Sequence, residues 1–328
     1  MYDVITFGSA TRDVFVRSSE FETHACDHSP SGMDCCFPLG SKVEISDLIM
    51  DTGGGGTNAA VTFGRLGHKT GAAVCVGKGD ASGHDILSVL KSNGVSDEFV
   101  QKYEKDQTAF SLVVLVGSGE RTILVYRGAS SHLSADQIPW SKAKAKWFYI
   151  TSLSGRLELI QEIMDHAEKN DIKIAWNPGS KELKYGLKKL EPLIRKATIF
   201  NLNLEEAMRL LDTDDRDINK LLIALKGLTK QAIIITDGIR GAYAADSTKT
   251  WHSNTIDCPR INVTGAGDAF GSGLVAGLMK KNDLPYGMAV GTWNATGVVQ
   301  ATGAKRHLIS KYPSDKDIAR VEIKEIEI

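Results

Sequence analysis

The chain has 328 residues, of which 42% are hydrophobic and 24% charged, with a formal net charge of −1. That length holds one large α/β domain or two smaller ones, and the composition is that of an ordinary water-soluble protein. The near-neutral charge gives no electrostatic reason to expect nucleic acid or an anionic membrane as partner, and no apolar run approaches the roughly 20 residues of a bilayer span.

The N-terminus runs directly into a strand, Val4-Ile5-Thr6-Phe7. No signal-peptide pattern precedes it, so cytoplasmic residence is the expectation. A polar, turn-rich stretch follows over about residues 12–52. It gathers His24, Cys26, His28, Cys35 and Cys36 within thirteen residues. The five cysteines are odd in number and contain no Cys-x-x-Cys pair, which argues against both a disulfide framework and a structural zinc site. Reduced side chains in a solvated insertion are expected instead.

Next comes Gly53-Gly54-Gly55-Gly56-Thr57-Asn58, running into Ala59, Ala60, Phe63 and Leu66 at helical spacing. The glycines let backbone approach a ligand, and Asn58 offers both donors and acceptors to hydroxyls. A flexible loop before an ordinary helix is the plainer alternative. The chain has no G-x-x-x-x-G-K-[ST] phosphate loop, and no first-strand G-x-G-x-x-G with a following acid, so P-loop and dinucleotide sites are disfavoured.

From residue 50 onward strands and helices alternate. Strand-like Ala72–Val76 precedes a helix over 86–92, and Trp147–Ile150 precedes one over 157–169. Ile172–Trp176 follows, then Thr198–Leu202 with a helix over 205–211, and then Ala232–Thr236. Such alternation predicts a mostly parallel sheet with helices on both faces. Residues 99–128 depart from it, since Phe110–Val116 and Arg121–Tyr126 flank a Gly-Ser-Gly turn and read as a β-hairpin.

The last feature is Asn262-Val263-Thr264-Gly265-Ala266-Gly267-Asp268, a small-residue turn opening an apolar helix. Free N–H groups at a helix start bind anions. A carboxylate there takes a proton from an alcohol while the N–H groups hold developing negative charge, a combination that suggests phosphoryl transfer. Asp268 as a plain helix-dipole residue is the alternative.

Together, in this order, the two glycine-rich segments resemble the signatures of the ribokinase (PfkB) family of carbohydrate and nucleoside kinases. Gly8 with Asp13, Val76-Gly77 with Asp80 and Gly83, Glu120-Arg121-Thr122, Asn203 with Glu206, and Thr236-Asp237-Gly238 with Gly241 fall where that family places similar residues. The resemblance implies a three-layer α/β fold over residues 1–328, with lid elements at about 12–52 and 99–128. It implies Asp268 as general base, Gly265, Ala266 and Gly267 as the anion hole, and Asp13, Gly54, Gly55 and Asn58 around the acceptor. Asn203, Glu206, Thr236, Gly238, Gly241 and Asn294 are implied at the nucleotide, with Glu206 near magnesium through water. ATP and Mg²⁺ are the implied cofactors, a small sugar or sugar derivative the partner, and a homodimer through the lid an expectation.

Two residues qualify that picture. Asn262 stands where many relatives have Asp, so a monovalent-cation site at Asn262 and Thr264 is expected to hold potassium weakly. Arg127, after the hairpin, reads as an exposed lid arginine. A nucleoside kinase and a non-catalytic binder on the same fold are the competing functions; a sugar is favoured because no aromatic platform for a base stands out in the lid.

Overall fold

Along the strand Tyr2–Phe7, side chains alternate between two interiors: Ile5 and Phe7 enter one apolar cluster, Val4 the other. The strand Ala145–Ile150 repeats the pattern, with Phe148 and Ile150 on the first face and Trp147 and Tyr149 on the second. This period of two places an apolar layer on each side of the sheet, as a parallel sheet between helices requires. Burying one such Ile or Phe contributes about 1.5–3 kcal/mol.

The computed structural model describes residues 1–29, 32–116 and 121–328. Ten strands form the central sheet. Its parallel part runs, in spatial order, Ala232–Thr236, Ile199–Asn203, Lys173–Trp176, Ala145–Ile150, Tyr2–Phe7, Thr70–Ala73 and Val95–Ser96. The helices Leu157–Lys169, Gly186–Ile194, Leu204–Leu211 and Ile218–Leu225 cover the first face. Gly55–Arg65, Ala266–Lys281 and Leu284–Val299 cover the second. The last two helices pack closely through glycine, since a Cβ at Gly277 would lie 2.7 Å from the Gly287 Cα.

Three features differ from expectation. Beyond Ala232–Thr236 the sheet continues antiparallel through Ala242–Ala245, Thr250–Ser253 and the C-terminal Ile323–Ile326. The run Ala72–Val76 is split: Thr70–Ala73 joins the central sheet, whereas Cys75–Gly77 pairs with Gln101–Tyr103. Residues 101–103 therefore lie outside the lid.

A separate four-stranded sheet forms the lid, ordered Arg121–Tyr126, Ala109–Leu115, Thr11–Arg17, Asp47–Gly53. The expected hairpin is present as antiparallel pairing of Ala109–Leu115 with Arg121–Tyr126, though its Gly-Ser-Gly turn and Glu120 fall outside the described residues. The chain leaves the end of the first strand into the lid, and returns along Asp47–Gly53 straight into the helix Gly55–Arg65. Departure and return meet where Gly8 faces Gly56, and a Cβ at Gly8 would lie 2.7 Å from the Gly56 nitrogen. That crossing places the lid over the ends of the parallel strands. Within the turn-rich insertion a small hairpin, Glu22–Ala25 with Met33–Cys36, packs Cys35 under the lid's outer face; among the described residues no group of three or more metal-binding side chains forms.

Candidate active site

The first glycine run begins the site. Gly54, at φ 93°, starts the helix Gly55–Arg65 in a backbone conformation that favours glycine. A Cβ there would meet the Ser9 carbonyl at 2.5 Å. The turn points Gly54, Gly55 and the Asn58 side chain into a cavity of about 270 Å³ under the lid. Asp13, Thr11, Ser111, Ser130 and Ser154 supply the rest of its polar wall.

Asp13 is buried at 8% exposure, and burial pushes its carboxyl up to about 6 despite the Lys305 charge and a hydrogen bond from Ser111. Arg127 also lines this cavity, its Nη1 donating to Ser154 Oγ at 3.4 Å, so it is nearer the acceptor region than an incidental lid arginine.

Across the cavity stands the turn before the helix Ala266–Lys281. Gly265 caps that helix with φ 84°, pressed so near the following loop that a Cβ would lie 2.4 Å from the Ala304 Cβ. Thr264, Gly265 and Asp268 face the lid cavity. Val263, Ala266, Gly267 and Phe270 face a second cavity of about 300 Å³ on the other side. The turn is thus the common wall of two chambers.

Asn58 Nδ2 donates to Asp268 Oδ2 at 2.8 Å, joining residues 210 positions apart. Asp268 Oδ1 has no protein partner among the described residues. Burial raises the Asp268 carboxyl above its ordinary range, opposed by the Asn58 bond and the positive charge of Lys305. Among the three small residues expected as anion hole, Ala266 is partly committed, because its N–H donates to the Val263 carbonyl at 3.2 Å. The N–H groups of Gly265 and Gly267 make no such bond among the described residues.

The second cavity is lined by Asn203, Thr236, Gly238 and Gly241, as the nucleotide reading expects, together with apolar Ile239, Ile256, Ala295 and Val299. Asn203 and Glu206 form a reciprocal cap: Asn203 Oδ1 accepts from the Glu206 N–H at 2.8 Å, and Glu206 Oε2 accepts from the Asn203 N–H at 2.9 Å. Burial pushes Glu206 up to about 7; its bond from Asn203 opposes this and the nearby Asp268 charge adds to it.

Asn294 requires a correction. It is fully buried and does not line the nucleotide cavity; its neighbours Thr292, Ala295 and Thr296 do. Its Nδ2 donates to the Ala269 carbonyl at 2.7 Å and to Thr62 Oγ1 at 3.1 Å, and its Oδ1 accepts from the Ile309 N–H at 3.0 Å. Every polar atom of the side chain is used in clamping three segments, which leaves nothing for adenine.

At the expected monovalent-cation site, Asn262 Oδ1 accepts from the Thr264 N–H at 2.7 Å, closing a local turn. The Thr264 hydroxyl is buried without a partner among the described residues.

Residues 4–310 match the pfkB family of carbohydrate kinases. The chain belongs to that family. It is a phosphotransferase of the carbohydrate and nucleoside kinase type. It is 26% identical to a ribokinase of Haemophilus influenzae over 77% of this chain and 82% of that protein. The fold superimposes on a nucleoside kinase of Methanocaldococcus jannaschii with a TM-score of 0.77 at 20% identity, covering 98% of each chain. A ribokinase II from E. coli solved with ATP and Mg²⁺ gives 0.77 at 17% identity, covering 94% of this chain and 96% of that one.

The pfkB kinase has one site residue that sequence reading missed, Lys305. Its Nζ, in a residue only 4% exposed, donates at 2.7 Å both to the Thr52 carbonyl and to Asn58 Oδ1. Nothing local in Gly303-Ala304-Lys305 marks the lysine as buried; a surface cation is the ordinary reading of such a residue.

Proposed function

We propose that the protein transfers the γ-phosphate of ATP to a primary hydroxyl of a sugar or sugar derivative. One observation carries the reading: the turn 263–268 lies between two cavities, with Asp268 and Gly265 lining one and Gly267 lining the other. In the transfer, Asp268 takes the hydroxyl proton as the acceptor oxygen bonds to the γ-phosphorus. The bond from that phosphorus to the bridging oxygen breaks, and its electron pair leaves on ADP. N–H groups of Gly265 and Gly267 stabilise the charge that develops on the moving group. The lid strands hold water away from the reacting atoms, since water competes as an acceptor.

Apolar side chains beside the Thr236–Gly241 turn suit the flat adenine. Asp13, Asn58 and the lid hydroxyls suit a polyol. Tyr126 is the one aromatic ring among the described residues lining the acceptor cavity; the hydroxyl-rich remainder of the cavity's polar wall favours a sugar over a nucleoside. Magnesium fits Glu206, whose second carboxylate oxygen is left by the cap to reach a hydrated ion; the metal would supply charge neutralisation at the phosphates.

A screen of ADP release across pentoses, hexoses, keto-deoxy acids and nucleosides tests the reading, with Asp268→Asn as control. A sugar-dependent release lost in the variant is expected. Release with nucleosides alone would reverse the substrate class, and binding without release would leave a non-catalytic protein.

A further inference from the structure

We propose that Lys305 is the positioning residue of the transfer site: its ammonium fixes the Asn58 amide against Asp268 and supplies the positive field beneath that carboxylate. The inference rests on the phosphotransferase reading above.

An asparagine amide has one accepting and one donating end, and only the donating end can face a carboxylate favourably. Lys305 settles the choice. Its Nζ takes Asn58 Oδ1 at 2.7 Å, which turns Nδ2 toward Asp268 Oδ2 at 2.8 Å. Without the lysine, the flipped amide would set oxygen against oxygen beside the base. The same Nζ holds the Thr52 carbonyl at 2.7 Å, so one buried cation ties the returning lid strand Asp47–Gly53 to the catalytic helix through Asn58. The loop around it reinforces the grip: Arg306 Nε lies 3.4 Å from Asp51 Oδ2, and a Cβ at Gly303 would lie 2.2 Å from that oxygen.

The charges facing Lys305 come from every element packed on it. Asp13 and Asp51 lie on lid strands, Asp268 on the catalytic helix, and Arg65 on the helix Gly55–Arg65. Burial lowers the Lys305 ammonium to about 8, and the three carboxylates oppose that loss. Near neutral pH the cation is therefore present, and its charge opposes the rise that burial imposes on the Asp268 carboxyl.

The test compares wild type with Lys305→Met and Lys305→Gln, reading ADP release from MgATP with D-ribose and D-fructose supplied together, and transfer to water if neither is phosphorylated. Removing the cation raises the Asp268 pKa, so the acid limb of log kcat moves to higher pH in both variants. The ATP KM stays unchanged. Gln, which still donates to Asn58 Oδ1, recovers more of the high-pH rate than Met but keeps the displaced limb. A limb that does not move overturns the proposal. So does loss of ATP binding in both variants, which would make the lysine a folding residue. Absence of turnover by wild type strikes the phosphotransferase reading itself and this inference with it.

Discussion

Gly53 and Asp13 lie diagonally across two paired lid strands, so close that a Cβ on residue 53 would lie 1.8 Å from Asp13 Oδ2. The glycine reserves the space in which the Asp13 carboxylate sits. Gly53→Ala is expected to swing Asp13 aside, raising the acceptor KM about 10- to 100-fold, a loss of roughly 1.4–3 kcal/mol. The ATP KM should stay near wild type. Steady-state kinetics in both substrates decides it; equal damage to both constants would point to general misfolding.

Asp268→Asn keeps the shape of the side chain and removes its proton affinity, which tests the proposed general base. A fall in kcat of about 10²–10⁴-fold is expected, with ATP binding intact by calorimetry. A variant with near-normal kcat would exclude Asp268 as base.

The acceptor's pH profile follows from the two raised carboxyls that line the lid cavity. Asp13 titrates at about 6, and burial also raises Asp268. With both accepting hydroxyl protons as proposed, kcat/KM for the acceptor should fall as pH drops through about 6, above the ordinary aspartate range. A single limb near the ordinary aspartate value would contradict this.

Asp13 also sets function against stability. Its folded pKa of about 6 exceeds the ordinary 3.8, so the native state binds the proton more tightly. The contribution to stability is then greatest below the ordinary value and is lost as pH rises through about 6. Asp13→Asn should therefore stabilise the protein at pH 7 by about 1–3 kcal/mol while acceptor binding is lost. Denaturant melts at pH 5 and pH 7 check the sign: the gain must be larger at the higher pH.

Potassium dependence tests Asn262. With a neutral amide already engaged by the Thr264 N–H, the rate should change little between potassium and a bulky organic-cation buffer. Asn262→Asp should introduce a potassium response. A strong response in wild type would refute the weakened site.

A homodimer through the lid is the expected assembly, with a second copy covering its exposed outer face. Leu48, Met50 and Leu124 stand 54%, 60% and 54% exposed there, an unusual apolar grouping for a free surface. Light scattering should give twice the chain mass, and Leu124→Lys should shift it toward monomer. A wild-type monomer at all concentrations would end that idea.

Some of this molecule was legible in the chain itself. Glycine runs, the start of the helix after Gly265, and the period-two strands around Val4–Phe7 and Trp147–Ile150 are local patterns, because backbone sterics and alternation act between near neighbours. The helix over 157–169 is legible for the same reason, its apolar face recurring every turn. Other features depend on strand order. The family resemblance implies Asn294 at the nucleotide, yet its partners Thr62 and Ile309 are brought to it only by packing. Lys305 reads as surface until the lid strand at Thr52 and the helix at Asn58 close over it from 253 and 247 positions away. By itself the sequence determined the parts: two glycine turns, a carboxylate at a helix start, and alternating strands and helices. Tertiary structure decided which faces meet, and with them the charge environment of Asp268, because desolvation and Coulomb fields depend on distance in space and not along the chain.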